Sequence, residues 1–416
     1  MKSFNLYKIG LLIFLLQGMT INSLHAQETL ADYLEIAAKN NPKLKASYAQ
    51  FEAALKQSPQ VASLPDPTLT VSGLGRMIET RAGTQEARFN LMQMFPWFGT
   101  LDARKDAANL MAEAKFQSYL NLQNELSFEV KSAYAELYAL SEVIEIKKKN
   151  LSILDSYREL ALSRFKSGGG AMVNVVKVDI EREAALTEIE LLEEMKKPLA
   201  TKFNLLLHRE AEVVIKDSLV IKPAPRIVNY KEDLKNNPIV LSLEKQKASY
   251  AAKEILAEKE GMPNIGLGVD YSIISKRTDA NPDRNGQDAI MPMVSVSLPI
   301  FRKKYKAAKE EANLLSVSIE NEMLDVKNEL QTKVELTLYD LKKAVRLIEL
   351  YDKQLKSSNQ ANKLYISSFS NAIGTFEEVL RMNQDILLLQ TQKIEAIKRG
   401  FIANAKLEYL LFDSSK

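Results

Sequence analysis

The chain has 416 residues, 46% of them hydrophobic, a formal net charge of +3 and no cysteine. Without cysteine it can carry no disulfide, no thiolate metal site and no thioether-linked lipid. Its charges are plentiful but mixed in sign, so the near-neutral balance gives no electrostatic ground for binding nucleic acid.

Residues 1–26 read as a secretory signal peptide. Lys2 and Lys8 make a basic start, Ile9 to Leu16 an apolar centre, and Ala26 a small residue before cleavage at Gln27. The apolar centre is too short to span a bilayer comfortably. Removing the leader takes the formal net charge from +3 to about +1. No later stretch reaches the roughly 18 uninterrupted apolar residues of a membrane helix, so any crossing would be made by strands.

The mature chain then falls into two structural repeats, 27–210 and 230–416, joined by a connector at 211–229. The first opens with helical stretches around Leu30 to Ala38 and from Pro42 to Ser58. Pro65 and Pro67 stop the helix, and Thr68 to Gly73 alternates with period two. After a polar turn near Thr80 to Gln85 the alternation resumes and ends at Phe95-Pro96-Trp97-Phe98-Gly99. This predicts a β-hairpin over about 66–96.

From Leu101 to Ser167 there is neither glycine nor proline. Those residues cost about 1 and 3 kcal/mol inside a helix, so their absence predicts one helix over about 100–167, roughly 100 Å long. Leu122, Leu126, Val130, Ala133, Leu137, Leu140 and Ile144 recur at steps of three and four, the spacing of a coiled-coil seam. Gly168, Gly169 and Gly170 end it, and a return helix is predicted at about 173–197, before Pro198. A phosphate-cradling loop is the rival reading of the triple glycine, but the lysine and threonine of such a loop are missing. Within the connector, Val213-Val214-Ile215 and Leu219-Val220-Ile221 read as short β-like runs, closed by Pro223 and Pro225.

The same programme follows again. Asn237-Pro238 echoes Asn41-Pro42, and Met262-Pro263 echoes Leu64-Pro65. Ile265 to Ile273 alternates apolar residues with Gly266, Gly268, Asp270 and Ser272, predicting a hairpin over about 264–299 that closes at Leu298-Pro299. A second run free of glycine and proline, Ile300 to Ile373, predicts a helix over about 301–370, its seam marked by Val334, Leu338, Leu341, Val345, Ile348 and Leu355. A return helix is expected at about 375–412. Phe165 and Val175-Val176 are echoed by Phe369 and Val379-Leu380, about 204 residues on.

A lone hairpin is marginal in water, and a strand with one apolar and one polar face suits a membrane barrel. In lipid every strand edge must be paired, so four strands would need further copies of the chain to close. Three copies would bring twelve strands, an even number within the known range. A soluble periplasmic coiled-coil scaffold or adaptor, with the hairpins capping a helical rod, is the alternative.

These residues together resemble the trimeric outer-membrane efflux proteins of the TolC family. The resemblance is carried by Leu30 with Asn41-Pro42, Leu64-Pro65, Phe95-Pro96 with Gly99, Arg164 to Gly168 followed by Asn174-Val175-Val176, and the second copy's Asn237-Pro238, Leu298-Pro299 and Glu378-Val379-Leu380. It implies a mainly α protein with membrane β-strands: a homotrimer with a twelve-stranded β-barrel in outer-membrane lipid and an α-helical tunnel across the periplasm. It also implies a passive exit duct in tripartite efflux or type I secretion, partnered by a periplasmic adaptor (membrane fusion) protein and an inner-membrane pump of the RND or ABC type. The helix-to-strand junctions would lie at Pro65, Pro96, Gly99, Pro263 and Pro299. The periplasmic tip or gate would be built from Gly168, Gly169, Gly170, Asn174, Val175, Gly374, Glu377, Glu378 and Val379.

The chain departs from the family pattern at this tip. Members often carry a glycine six residues before an acidic residue and valine. Here those positions hold Gly168 and Asn174 in the first copy, and Ala372 and Glu378 in the second, with Gly374 two places late. An acidic ring from Glu377 and Glu378 that narrows the pore and favours cations is one expectation. A carboxylate stabilised by the helix macrodipole is the other. Phe95 to Gly99 resembles members that partner heavy-metal cation pumps.

Met92 with Met94, and Met291 with Met293, fall on single strand faces, where thioethers either pack or bind soft cations. No cofactor, metal site or enzyme is expected. Beyond the leader His208 is the sole histidine, and carboxylates such as those of Glu181-Arg182-Glu183 alternate with bases as on a solvated helix face.

Overall fold

A computed structural model describes residues 29–412 apart from 211, 212, 214, 216, 223–231, 233 and 372, and of residues 74–77 the backbone alone. The expected leader, Pro223, Pro225, Val214 and Ala372 therefore lie outside the described residues. In order the elements are α1 (Leu30–Asn40), α2 (Pro42–Val61), β1 (Thr68–Thr80), β2 (Gly83–Phe95), α3 (Thr100–Lys166), α4 (Met172–Leu207), a 3₁₀ turn (Leu234–Asn236), α5 (Pro238–Glu260), β3 (Asn264–Ser275), β4 (Ala289–Ser297), α6 (Lys303–Ser370) and α7 (Phe376–Leu411). Among the described residues no helix is long and apolar enough to cross a membrane.

The compact units are not the sequence repeats. One unit comprises Met1–Asn41, Glu125–Arg226 and Leu336–Tyr409; the other comprises Pro42–Asn124, Ile227–Glu335 and Leu410–Lys416. The boundaries at 210 and 230 mark a duplication of chain, whereas packing groups corresponding parts of both copies together.

In the first unit, α1 starts with a capping box. Asp32 N–H donates to Thr29 Oγ1 while the Asp32 carboxylate accepts from Thr29 N–H at 2.7 Å. Tyr33 is fully buried edge-on against Phe203 of α4, ring centroids 5.0 Å apart. The seam expected on α3 is inside: Leu126, Val130, Ala133, Leu137, Leu140 and Ile144 are all buried. On α6 Leu341 is buried outright, with Leu338, Val345 and Ile348 half-buried. Asn150 and Asn383 meet inside at 2.7 Å, an uncharged polar pair satisfied within an apolar seam.

In the second unit, α5 lies on the first turns of α3. Buried Ala103, Ala107, Ala112 and Ala114 let the backbones approach, and Ser242 and Ser249 donate across to the carbonyls of Ala114 and Ala107 at 2.9 and 2.8 Å. A four-stranded antiparallel sheet of order β1-β2-β3-β4 joins the two hairpins through β2 and β3.

The Asn-Pro pairs have the same physical explanation in both copies. Asn41 Nδ2 donates to Leu206 O at 2.9 Å, and Asn237 Nδ2 donates to Leu410 O at 2.9 Å. Each amide satisfies a carbonyl in the last turn of a return helix, where intrahelical donors run out. The following proline starts the next helix; at Pro238 this is explicit, with Asn237 as N-cap accepting from Ile239 N–H at 3.0 Å.

Three expectations need correction. The return helix does not stop before Pro198 but continues to Leu207. Proline removes one backbone hydrogen bond, yet Phe203 and Leu207 beyond it are fully buried, and that packing holds the helix together. Likewise α2 runs through Pro59 to Val61. In the first hairpin β1 and β2 both extend to a two-residue turn at Arg81-Ala82, with a register shift between Gly73 and Ile78. The β-like runs of the connector form no strand among the described residues 213, 215 and 217–222.

Candidate functional site

Two regions carry the chemistry that this fold can use, the sheet in one unit and the paired helix–helix turns in the other.

The sheet is inside out by the standard of a protein in water. On β3 the apolar set Leu267, Val269 and Tyr271 is exposed, Leu267 at 51%, while Asp270 is 0% and Ser272 5% exposed. The same apolar face continues through Leu69 and Val71 on β1, Leu91 on β2, and Ile290, Val294 and Val296 on β4, all exposed. Each Val or Leu left in water forgoes roughly 1.5–3 kcal/mol of burial, so this face needs a solvent other than water.

The opposite face holds the polar residues. Arg88 Nε donates to Asp270 Oδ2 at 2.6 Å, Asn90 Nδ2 donates to the same oxygen at 3.3 Å, and Gln85 Nε2 donates to Ser272 Oγ at 2.8 Å. Register fixes this: Asn90 stands opposite Asp270 and Arg88 opposite Ser272. The arrangement gives one apolar wall and one polar, charge-bearing wall on the same ribbon of strands.

The junction residues frame this sheet. Pro65 precedes β1 and Pro263 precedes β3, each where a helix must give way to extended chain. Pro96 follows β2, and Gly99 takes φ +77°, a left-handed turn that only glycine adopts freely, one residue before α3. Pro299 follows β4, but no positive φ appears there. Instead Ile300 N–H donates to Leu298 O at 2.9 Å and Arg302 N–H to Ile300 O at 3.2 Å, so two tight turns replace the glycine.

The helix–helix turns differ from one another. At the first, Gly168 has φ +75°, with its N–H on Phe165 O and the Gly169 N–H on Arg164 O at 2.9 Å. A Cβ on Gly169 would meet the Arg164 guanidinium at 3.1 Å, and one on Gly170 would meet Arg164 Cβ at 3.2 Å. The glycines thus leave room for an arginine that lies over the Phe369 ring, 5.7 Å from its centroid. Ala171 caps α4 without a side-chain bond, and Asn174 occupies the first helical turn.

At the second turn, Thr375 and Glu378 form a capping box. The Glu378 carboxylate accepts from Thr375 N–H and Oγ–H at 3.0 Å each, and Glu378 N–H donates to Thr375 Oγ1 at 3.4 Å. Gly374 is beside the cap, and Glu377 is ion-paired to Lys177. Between the turns Val175, Val178, Val379, Leu380, Phe369 and Phe376 form one buried cluster with Leu154, Tyr157 and Ala161. The structure therefore brings all the expected turn residues into one neighbourhood. It gives the two glutamates partners that sequence reasoning did not assign. The signal for one was legible, because Thr375-Phe376-Glu377-Glu378 has the spacing of a capping box.

Residues 33–196 match the sequence family described as outer membrane efflux protein. The chain is similar to the outer membrane efflux protein BepC of Brucella suis biovar 1 (strain 1330), 24% identical over 297 residues, covering 69% of this chain and 64% of that protein. It thus spans somewhat less than two thirds of the length of this curated relative. The fold is similar to that of a membrane protein from Pseudomonas aeruginosa (TM-score 0.75, 18% identity, 92% of this chain and 93% of that one). It is also similar to CusC, solved in a study of folding and transmembrane channel formation (TM-score 0.79, 14% identity, 93% and 92% covered). With its duplicated chain, inverted sheet and long paired helices, this protein has the fold of the TolC-type channels, and its residues 33–196 match the outer membrane efflux protein family.

Proposed function

We propose that three copies of this chain form a passive exit duct in the outer membrane. One observation carries the reading: the sheet exposes its apolar residues and hides Asp270 and Ser272 on its other face. Lipid would solvate the first face and a water-filled lumen the second. Strands β1 and β4 each leave one edge unpaired among the described residues, and in a bilayer those edges must pair with other copies. Exposed Leu314, Val317, Leu324, Leu336, Tyr339 and Leu364 on α6 offer apolar surface for the same association.

The helix–helix turns would face the periplasmic adaptor, which links the duct to an inner-membrane pump supplying the energy. Small molecules or metal cations would pass through it. Glu377 and Glu378, repeated by threefold symmetry, would place acid around the opening, although each also has a local structural partner. If Glu378→Gln leaves conductance and cation preference unchanged in planar bilayers, the acid has only its capping role.

The sheet reading is tested by charge placement. Val269→Arg puts a cation on the apolar face of a central strand, at a cost of about 2–4 kcal/mol where lipid contacts it at mid-depth. Thr70→Arg puts the same cation on the polar face. Recovery of trimer from the outer-membrane fraction is expected to fall sharply for the first variant and little for the second. Equal recovery of both would mean that the apolar face does not meet lipid.

A further inference from the structure

The polar face of the sheet carries one feature that lining a water-filled pore does not require. Met92, Met94 and Met293 stand on it, among Asn90, Asp270 and Ser295, and not on the apolar face where methionine would be ordinary packing. Registration sets them in two rows. Met92 lies opposite Gly268, which lies opposite Met293; Met94 lies opposite Gly266, which lies opposite Ser295. Each row therefore has a central position without a side chain; Met92, Met94 and Ser295 lean over Gly266, and Met92 over Gly268.

The glycines are committed to this arrangement. A Cβ at Gly266 would come within 2.7 Å of Met94 Sδ and 3.1 Å of Met92 Sδ, and it would collide with Ser295 Oγ. A Cβ at Gly268 would come within 2.9 Å of Met92 Cε and 3.1 Å of its sulfur. Two thioethers thus occupy the space over one glycine, and the Ser295 hydroxyl is 3.7 Å from both sulfurs. The third sulfur, Met293 Sδ, accepts from Asn90 Nδ2 at 3.3 Å.

We propose that Met92 and Met94, with Ser295 beside them, form a binding station for a soft monovalent cation, Cu(I) or Ag(I), on this face. Thioethers select such ions over hard divalent cations, which prefer carboxylate and water. Asp270 already accepts from Arg88 and Asn90 and is not the ligand. The thioethers are neutral, so they can hold an ion weakly and release it, as passage along a wall demands. The significance of the station as a contact for cargo rests on the duct reading; ion binding itself does not.

The test uses the full-length protein purified in detergent and titrated with silver(I) nitrate in chloride-free buffer, with bound silver measured after equilibrium dialysis. Leucine has nearly the volume of methionine, so Met92→Leu/Met94→Leu preserves packing and removes only the sulfurs. Wild type is expected to bind silver on the order of tenfold more tightly than this variant. Met172→Leu/Met195→Leu, which alters exposed helical methionines, should bind as wild type does. Equal silver affinity in wild type and the double variant, or an equal loss in the helical control, would overturn the site. Magnesium(II) uptake matching that of silver would overturn it too, because charge alone would then explain binding. Conductance of the same preparations in planar bilayers reports on the duct separately: silver binding without conductance would sink the duct and leave the site, and conductance without silver binding the reverse.

Discussion

The two helix–helix turns do the same job with different chemistry. After α3 the chain reverses through three glycines, a left-handed Gly168 and an uncapped Ala171. After α6 it reverses into a Thr375–Glu378 capping box. The apolar positions are shared more closely: Val175 and Val379 are both buried to within 1%. Even there the symmetry breaks, because Phe369 is 4% exposed and its counterpart Phe165 is 42% exposed. One buried cluster serves both turns, and of this corresponding pair only Phe369 enters it. Duplication therefore preserves what must pack and leaves free how the chain turns.

The sharpest way to break this comparison is to truncate both phenylalanines. Phe369→Ala should lower the opening free energy of the turn region by about 3–5 kcal/mol, measured by amide hydrogen exchange. Phe165→Ala should change it by less than about 0.5 kcal/mol, as at other surface positions. Equal effects would mean that the two rings are interchangeable.

The next contrast concerns the glycines. Gly168→Ala forces a side chain into left-handed geometry and should cost about 1–2 kcal/mol. Gly374 lacks positive φ, and its Cβ would only crowd Ser368 Cβ at 3.1 Å, so Gly374→Ala should cost less. Thermal unfolding followed by circular dichroism would rank the two.

Capping comes third. Thr375→Ala should cost about 1 kcal/mol, seen as faster exchange in the first turn of α7. Importing the box with Ala171→Thr and Asn174→Glu should slow exchange in the first turn of α4, making the two turns more alike. The smallest effect is expected from Lys177→Ala, which removes the exposed pair with Glu377. It should cost about 0.2–1 kcal/mol, and the difference should shrink in molar salt.

Much of this architecture was legible because it is periodic. Runs without glycine or proline disclosed α3 and α6, and steps of three and four disclosed Leu126, Val130 and Ile144 as a seam. Alternation on β3 disclosed two unlike faces. The weaker readings came where tertiary contacts overrode a local rule. Pro198 did not end its helix, since the burial of Phe203 and Leu207 beyond it outweighs one lost hydrogen bond, and α2 continued past Pro59 to Val61. The Arg88–Asp270 contact depends on the register between β2 and β3, which a sequence cannot number. Nor can a sequence say that four strands join in one order, so the meeting of Met92 and Met94 with Ser295 over Gly266 stayed hidden.

The clamps that tie helix ends together, Asn41 to Leu206 and Asn237 to Leu410, are made by amides. An amide has no proton to gain or lose in the biological range and no net charge for salt to screen. A carboxylate or histidine in its place would let go under acid, and an exposed ion pair would weaken in brine. Proteins of the outer envelope meet whatever water surrounds the cell, with no buffering by the cytoplasm. These neutral clamps give both copies of the repeat a hold that is indifferent to the weather outside.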